Sequence, residues 1–217
     1  MAKIKQGILG GFSGKVANVV GTSWKGRAVM KSQPLSVSNP RTEAQQEQRG
    51  KFSKVAELAS KVLTQFVQPV ENPISGDISG YNKFCKDNKS AFNALGAIVP
   101  ADFVCGGGKI INLAGGLGLA YSTNEEVLFN WSNSGGESAL RLTDKVFALG
   151  VSNSKDYILV SSGVSTRTSQ STSLKRIYGE DNIAQEDEII VLYACVSADG
   201  RDVSILTAAD TLEVPEV

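Results

Sequence analysis

The sequence predicts an α+β protein in three parts: a glycine-rich, basic β-hairpin arm over residues 1–38, a two-helix segment over 39–99, and a C-terminal antiparallel β-sandwich over 100–217. Three observations carry this. Six glycines lie between Gly7 and Gly26, a density that marks turns and bends, not helix. Apolar residues from Phe52 to Phe66 recur at spacings of three and four, the period of an amphipathic helix. After Pro100, short runs of β-formers alternate with turn-forming clusters, as in a sandwich or barrel.

The arm contains two strand-like runs, Lys15–Val20 and Trp24–Lys31, separated by Gly21-Thr22. Alternation along the second run sets Trp24, Ala28 and Met30 on one face and Lys25, Arg27, Val29 and Lys31 on the other. The expected product is a hairpin with an apolar face and a basic face. An isolated hairpin is marginally stable, so the apolar face requires a cover in this chain or in another subunit.

The helical segment opens with Thr42 and Gln45, which fit a capping box; Asn39 as N-cap with Pro40 at the first helical position is the alternative. The stripe Phe52, Val55, Leu58, Ala59, Val62, Leu63 and Phe66 carries the helix to about Val67, where Gln68-Pro69 should end it. A second amphipathic pattern, Tyr81, Phe84, Cys85, Phe92 and Leu95, spans Ser79–Leu95 and could pair with the first as an antiparallel hairpin.

Strand candidates in the last part are Ile110–Leu113, Leu117–Tyr121, Glu126–Trp131, Ala139–Leu142, Val146–Val151, Tyr157–Val160, Ser173–Ile177, Ile189–Val196 and Val203–Leu206. Turns are marked by Gly115-Gly116, Asn133-Ser134-Gly135-Gly136, Asn153-Ser154 and Ala198-Asp199-Gly200. Trp131 ending an early strand and Tyr193 in a late one resemble the placement in immunoglobulin and fibronectin type III sandwiches.

Composition narrows the chemistry. The chain has no histidine, which removes Ser-His-Asp and Cys-His arrangements and the usual zinc sites. The three cysteines, Cys85, Cys105 and Cys195, are far apart and sit among apolar neighbours, as buried free thiols do. No cofactor or metal is expected, and the chain is read as non-enzymatic. No run approaches the roughly 20 apolar residues of a membrane span, nor the 7–15 of a signal peptide, so the chain is expected to stay in the cytoplasm of the cell that makes it. Net charge is zero but polarised: residues 1–38 carry six basic residues and no acid, while 97–217 carry eight basic against sixteen acidic.

Gly10-Gly11-Phe12-Ser13-Gly14-Lys15 departs from a phosphate-binding loop at both ends, with Leu9 where a glycine is needed and Val16 where a hydroxyl is needed. The acidic run Glu180-Asp181 and Glu186-Asp187-Glu188 fits no calcium loop and reads as solvated. The Ser/Thr-rich Ser161–Ser173 reads as an exposed loop or edge strand. The candidate partner-binding residues are therefore Lys15, Trp24, Lys25, Arg27 and Lys31 of the arm.

The opening Gly7-Ile8-Leu9-Gly10-Gly11-Phe12-Ser13-Gly14-Lys15-Val16-Ala17-Asn18-Val19-Val20-Gly21, with Trp24-Lys25-Gly26 and Asn39-Pro40-Arg41-Thr42-Glu43-Ala44-Gln45, resembles a family of uncharacterised proteins of Bacteroidetes-type bacteria and their tailed phages. The resemblance covers the first 55 or so residues well and the β-region loosely. It implies a phage or prophage origin and names no catalytic residues. The expected role is a structural protein that self-associates through the arm or joins other virion subunits. Two alternatives stand beside it. One is a monomeric module recognising glycan or protein through loops such as Asn130–Glu137 and Ser161–Ser173. The other is a nucleic-acid binder using the basic face with Phe12 and Trp24 as stacking platforms.

Overall fold

Four antiparallel strands follow one another at the N-terminus: β1 (Lys3–Ile4), β2 (Phe12–Val16), β3 (Val19–Trp24) and β4 (Arg27–Ser32), in the order β1-β2-β3-β4. The computed structural model describes residues 3–4, 11–36, 38–93, 95–113, 116–132, 141–161 and 163–215. Gly7 and Gly10 of the arm, Gly115, and the turn at residues 133–136 lie outside the described residues. The chain divides into two compact units, Met1–Gln45 and Gln46–Val217.

The arm's single hairpin is corrected to a meander. Each apolar run is cut by a two-residue turn, Ala17-Asn18 in the first and Lys25-Gly26 in the second. Lys25 and Gly26 both have positive φ, 46° and 79°, as a type I′ turn requires, and its twist matches that of the flanking strands. Glycine takes its half of that turn at no steric cost. Lys-Gly is a weaker signal than Asn-Gly, so alternation read straight through it.

Helix α1 (Glu43–Lys61) starts directly after Thr42, and Pro40 stays outside it. Val55, Leu58, Ala59, Val62 and Phe66 are buried in one core, whereas Phe52 is 53% exposed. The helix does not run unbroken to Val67. A π turn at Leu63–Val67 leads into α2 (Gln68–Glu71), and Pro69 opens that helix instead of ending one. In the π turn the Val67 N–H bonds Val62 O, five residues back, at 3.2 Å. The shifted register places Pro69 in a first turn, where its missing N–H costs nothing.

Helix α3 (Gly80–Asp87) is capped by Ser79, whose hydroxyl accepts the Asn82 N–H at 3.2 Å. It stops well short of Leu95. Asn88, fully buried, donates to Phe84 O (3.1 Å) and Val104 O (2.9 Å) and accepts the Val104 N–H (2.7 Å), which ties the chain to a strand instead of a further helical turn. Phe92 bridges Ile98, and Leu95 is 94% exposed. The expected antiparallel helix pair is thus corrected: α3 packs on the π turn and α2.

The remaining strands are β5 (Val104–Cys105), β6 (Gly118–Thr123), β7 (Glu126–Asn130), β8 (Lys145–Val151), β9 (Ile158–Ser161), β10 (Ser171–Tyr178), β11 (Glu188–Val196), β12 (Thr207–Ala208) and β13 (Asp210–Glu213). Seven form one antiparallel sheet, β13-β11-β8-β9-β10-β7-β6, and β5 pairs with β12. The edge strands β13 and β6 approach each other, so the sheet curls to near closure. This is one curled sheet where two stacked sheets were expected.

The reason lies in β8 and β11. Both are continuous apolar runs, buried on both faces. Their inward residues, Val146, Ala148, Val191, Tyr193 and Cys195, fill the interior with Phe129, Trp131 and Leu174. Their outward residues, Phe147, Leu149, Ile190, Leu192 and Val196, are covered by the helices. The helices occupy the face that a second sheet would need. Strand β7, by contrast, alternates Val127 and Phe129 inward with half-buried Glu126, Leu128 and Asn130 on its other face.

Trp131 and Tyr193 are both interior, with ring centroids 5.8 and 5.6 Å from Phe129. Of the expected strands, Ile110–Leu113 contributes a single bridge, Ile110 to Ser204, and Val203–Leu206 only bridges at its first two residues. Ala139 and Leu140 lie outside the described residues, and Arg141-Leu142 is not strand. The turn before Val203 forms as expected, with Gly200 N–H on Ser197 O at 2.8 Å. Strand β10 is central in the sheet, not an edge. No helix among the described residues is long and apolar enough to cross a membrane.

All three thiols are free and buried, and burial pushes the Cys105 thiol well above its usual range. Thiol reagents at neutral pH are therefore expected to label none of them until the fold opens. Stoichiometric labelling of the native protein within seconds would contradict their placement.

Candidate interaction face on the N-terminal sheet

Register fixes which side chains of the N-terminal sheet share a face. Lys15 pairs with Val20, Val20 with Lys31, Thr22 with Val29, and Trp24 with Arg27. Paired residues, and residues two apart along a strand, lie on the same side. One face thus carries Lys15, Val20, Thr22, Trp24, Arg27, Val29 and Lys31. The other carries Val16, Val19, Gly21, Ser23, Ala28, Met30 and Ser32, with no charge.

This changes the sequence reading at Trp24 and Lys25. Trp24 was expected beside Ala28 and Met30, opposite the cations. The turn removes Lys25 and Gly26 from the alternation, which flips the parity and brings Trp24 to Arg27. Of the five candidate residues, four converge on one face, and Lys25 sits in the turn at its end. Val29 completes that face, as its alternation with Arg27 and Lys31 predicts; Val20 and Thr22 also lie on it and were missed because their partners depend on the turns.

Within Met1–Gln45, neither face is covered among the described residues. Trp24 is 50% exposed and Met30 70%. Among the described residues of Met1–Gln45, only Gly21 is buried. A Cβ on Gly21 would stand 2.6 Å from ring atoms of Phe12, so glycine lets that ring lie on the apolar face. Strand β4, with six exposed residues, is an outer strand of this sheet. The phosphate-loop comparison falls away, since Phe12–Val16 is a strand leading into another strand, not into a helix N-terminus.

The buried titratable clusters described in Gln46–Val217 are internal clasps. The Lys83 ammonium donates to Asp87 Oδ2 (2.6 Å) and Gly106 O (2.9 Å) and lies 2.9 Å from Glu71 Oε2 as an ion pair. Glu71 Oε1 accepts the Gly106 N–H at 3.1 Å. Burial pushes the Glu71 carboxyl above its usual range. Burial acts to lower the Lys83 pKa, but hydrogen bonds and charge from Asp87 and Glu71 outweigh it and raise the value.

The acidic run is corrected in part: Asp187 is buried, held by Lys155 at 2.7 Å, the Ala184 N–H at 2.8 Å and the Tyr157 hydroxyl at 3.3 Å. Burial, then the Asp187 charge, pushes the Tyr157 phenol up. The Ser/Thr-rich run is corrected as well. It contains Arg167, fully buried, which donates to Ile111 O and lies 3.6 Å from Asp144 Oδ2. Among the described residues, no three Cys, Asp or Glu side chains are placed to hold a metal ion.

No curated protein and no solved structure matches the chain. A family model does, over residues 11–207, which takes in β2 to β4, the helices and all of the curled sheet except β13. The chain therefore belongs to DUF6266, a family of unknown function.

Proposed function

We propose that this chain is a non-enzymatic structural protein that assembles with copies of itself through the apolar face of its N-terminal sheet, as a component of a phage or prophage particle. The observation that carries the reading is that face: Val16, Val19 and Met30 exposed, with Gly21 the one buried residue among those described in Met1–Gln45. A sheet without a core of its own gains stability by packing face to face with another, about 10 Å away. Charge selects which face does so. Stacking the opposite face on its copy would confront Lys15, Arg27 and Lys31 with like charges, whereas the apolar face meets no such cost. The N-terminal motifs supply the phage part of the reading.

Light scattering on a sizing column tests it. The full chain is expected to run as an oligomer at about 0.15 M salt. The variant Val19→Thr/Met30→Gln removes apolar area without adding charge and should weaken association about tenfold or more, at roughly 1.5–3 kcal/mol per buried large apolar side chain. A full-length chain that stays monomeric at high concentration would sink the proposal.

A further inference from the structure

We infer that the opposite face of the N-terminal sheet binds single-stranded nucleic acid, with Trp24 as a stacking platform and Lys15, Arg27 and Lys31 on the phosphates. The argument starts from the register. Lys15, Val20 and Lys31 form a row across β2, β3 and β4, which sets the two lysines about 10 Å apart, two strand spacings. Trp24 and Arg27 form a second row, four residue pairs further along. From Lys31 to Arg27 is about 13 Å along β4. Cations thus stand at both ends of a flat strip whose middle, Thr22 and Val29, is uncharged. Lys25 adds a fourth cation at the turn beside Trp24.

Three properties commit this face to a polyanion that carries bases. Residues 1–38 hold six basic residues and no acid, so the charges this segment contributes are of one sign. Trp24 is half exposed, beside a cation and away from the apolar face where packing alone would have put it. An indole so placed stacks on any unpaired base, and cations spaced along the strip track the backbone. The strip presents the Trp24 indole for stacking, which an unpaired base can meet and a base inside a duplex cannot, and this favours a single strand. This surface is distinct from the self-association face, so each can fail without the other.

The test is fluorescence anisotropy of the full chain with labelled oligothymidylate and oligouridylate, with heparin as a polyanion without bases. Binding to either oligonucleotide is expected, with log K falling at a slope of about −2 against log salt between roughly 50 and 200 mM for three phosphate contacts. Indole fluorescence should quench on binding, and Trp24 is its source, because Trp131 is buried. Trp24→Ala should lose about tenfold in affinity with the slope unchanged, and Trp24→Phe should recover most of it. Lys31→Gln should flatten the slope by about 0.7. Val19→Thr/Met30→Gln, on the other face, should leave the affinity per chain unchanged. The two oligonucleotides differ in the 2′-hydroxyl and in the base C5-methyl group, and a preference for either one supports the inference. No binding at about 50 mM salt, heparin binding as tightly as the oligonucleotides, or a Trp24→Ala variant that binds as well as the parent would each overturn it.

Discussion

Replacing Lys83 with methionine is expected to cost the fold about 3–5 kcal/mol, the range for removing one partner of a buried ion pair. Glu71 is 1% exposed, and its charge is balanced by Lys83. Methionine keeps the stem's packing and removes only the ammonium. The carboxylate is then buried beside Asp87 without its cation, and the loop at Gly106 loses one of its two ties to the helices. A domain's net stability is about 5–15 kcal/mol, so the loss is large. Glu71→Gln should cost far less, because an amide oxygen still accepts the Gly106 N–H and Lys83 keeps Asp87. Urea unfolding of both variants checks the order. A Lys83→Met variant within about 1 kcal/mol of the parent would show that the clasp carries little.

Acidity distinguishes this clasp from packing alone. The folded Glu71 pKa lies above the ordinary 4.5, so the folded chain holds that proton more tightly than the unfolded chain. The cost of its charge is absent below 4.5 and complete above the folded value. In Lys83→Met that cost grows, so lowering the pH toward 4.5 should recover part of the lost stability. Lys83 runs the other way. Its folded pKa is raised, so its contribution is whole below the ordinary 10.5 and is lost as pH rises through the folded value.

Arg167→Met is expected to be comparably severe. The side chain and Asp144 are 1% and 2% exposed. The Arg167 N–H donates to Asp144 O at 3.0 Å, and its carbonyl accepts the Trp131 indole N–H at 3.0 Å. Without the guanidinium, the Asp144 carboxylate keeps Arg141 at 3.8 Å, an ion pair that is itself partly exposed. A loss of about 3 kcal/mol or more follows. Adding Asp144→Asn should restore part of it, since removing both charges leaves neither one buried alone. If the double variant is less stable than Arg167→Met, the pair is not what holds this segment.

Neither clasp could be read from the sequence. Glu71 and Lys83 fall on different helices, and Gly106 lies 23 residues beyond Lys83. Asp144 and Arg167 sit on opposite sides of β8 and β9 in the chain. Asn153 reads as a turn residue, yet its side chain bonds both backbone groups of Ile98, at 2.8 and 2.9 Å. Such partners are set by where the chain returns in space, and no local pattern records it. The candidate face was legible in residue type: the cations and Trp24 were evident. Their convergence was not, because it depends on two residues leaving the alternation at a turn.

By itself the sequence determined what local physics determines. Period 3.6 and the Thr42 start set α1, Ser79 capped α3, β-branched runs set β7 to β11, and apolar surroundings buried the three thiols. The tertiary structure decided which face of each strand is covered, and by what. The helices lie over β8 and β11, so the sheet curls on itself instead of stacking on a second sheet. A strand's pattern reports how many of its faces are buried; the partner on each face is fixed only when distant segments meet.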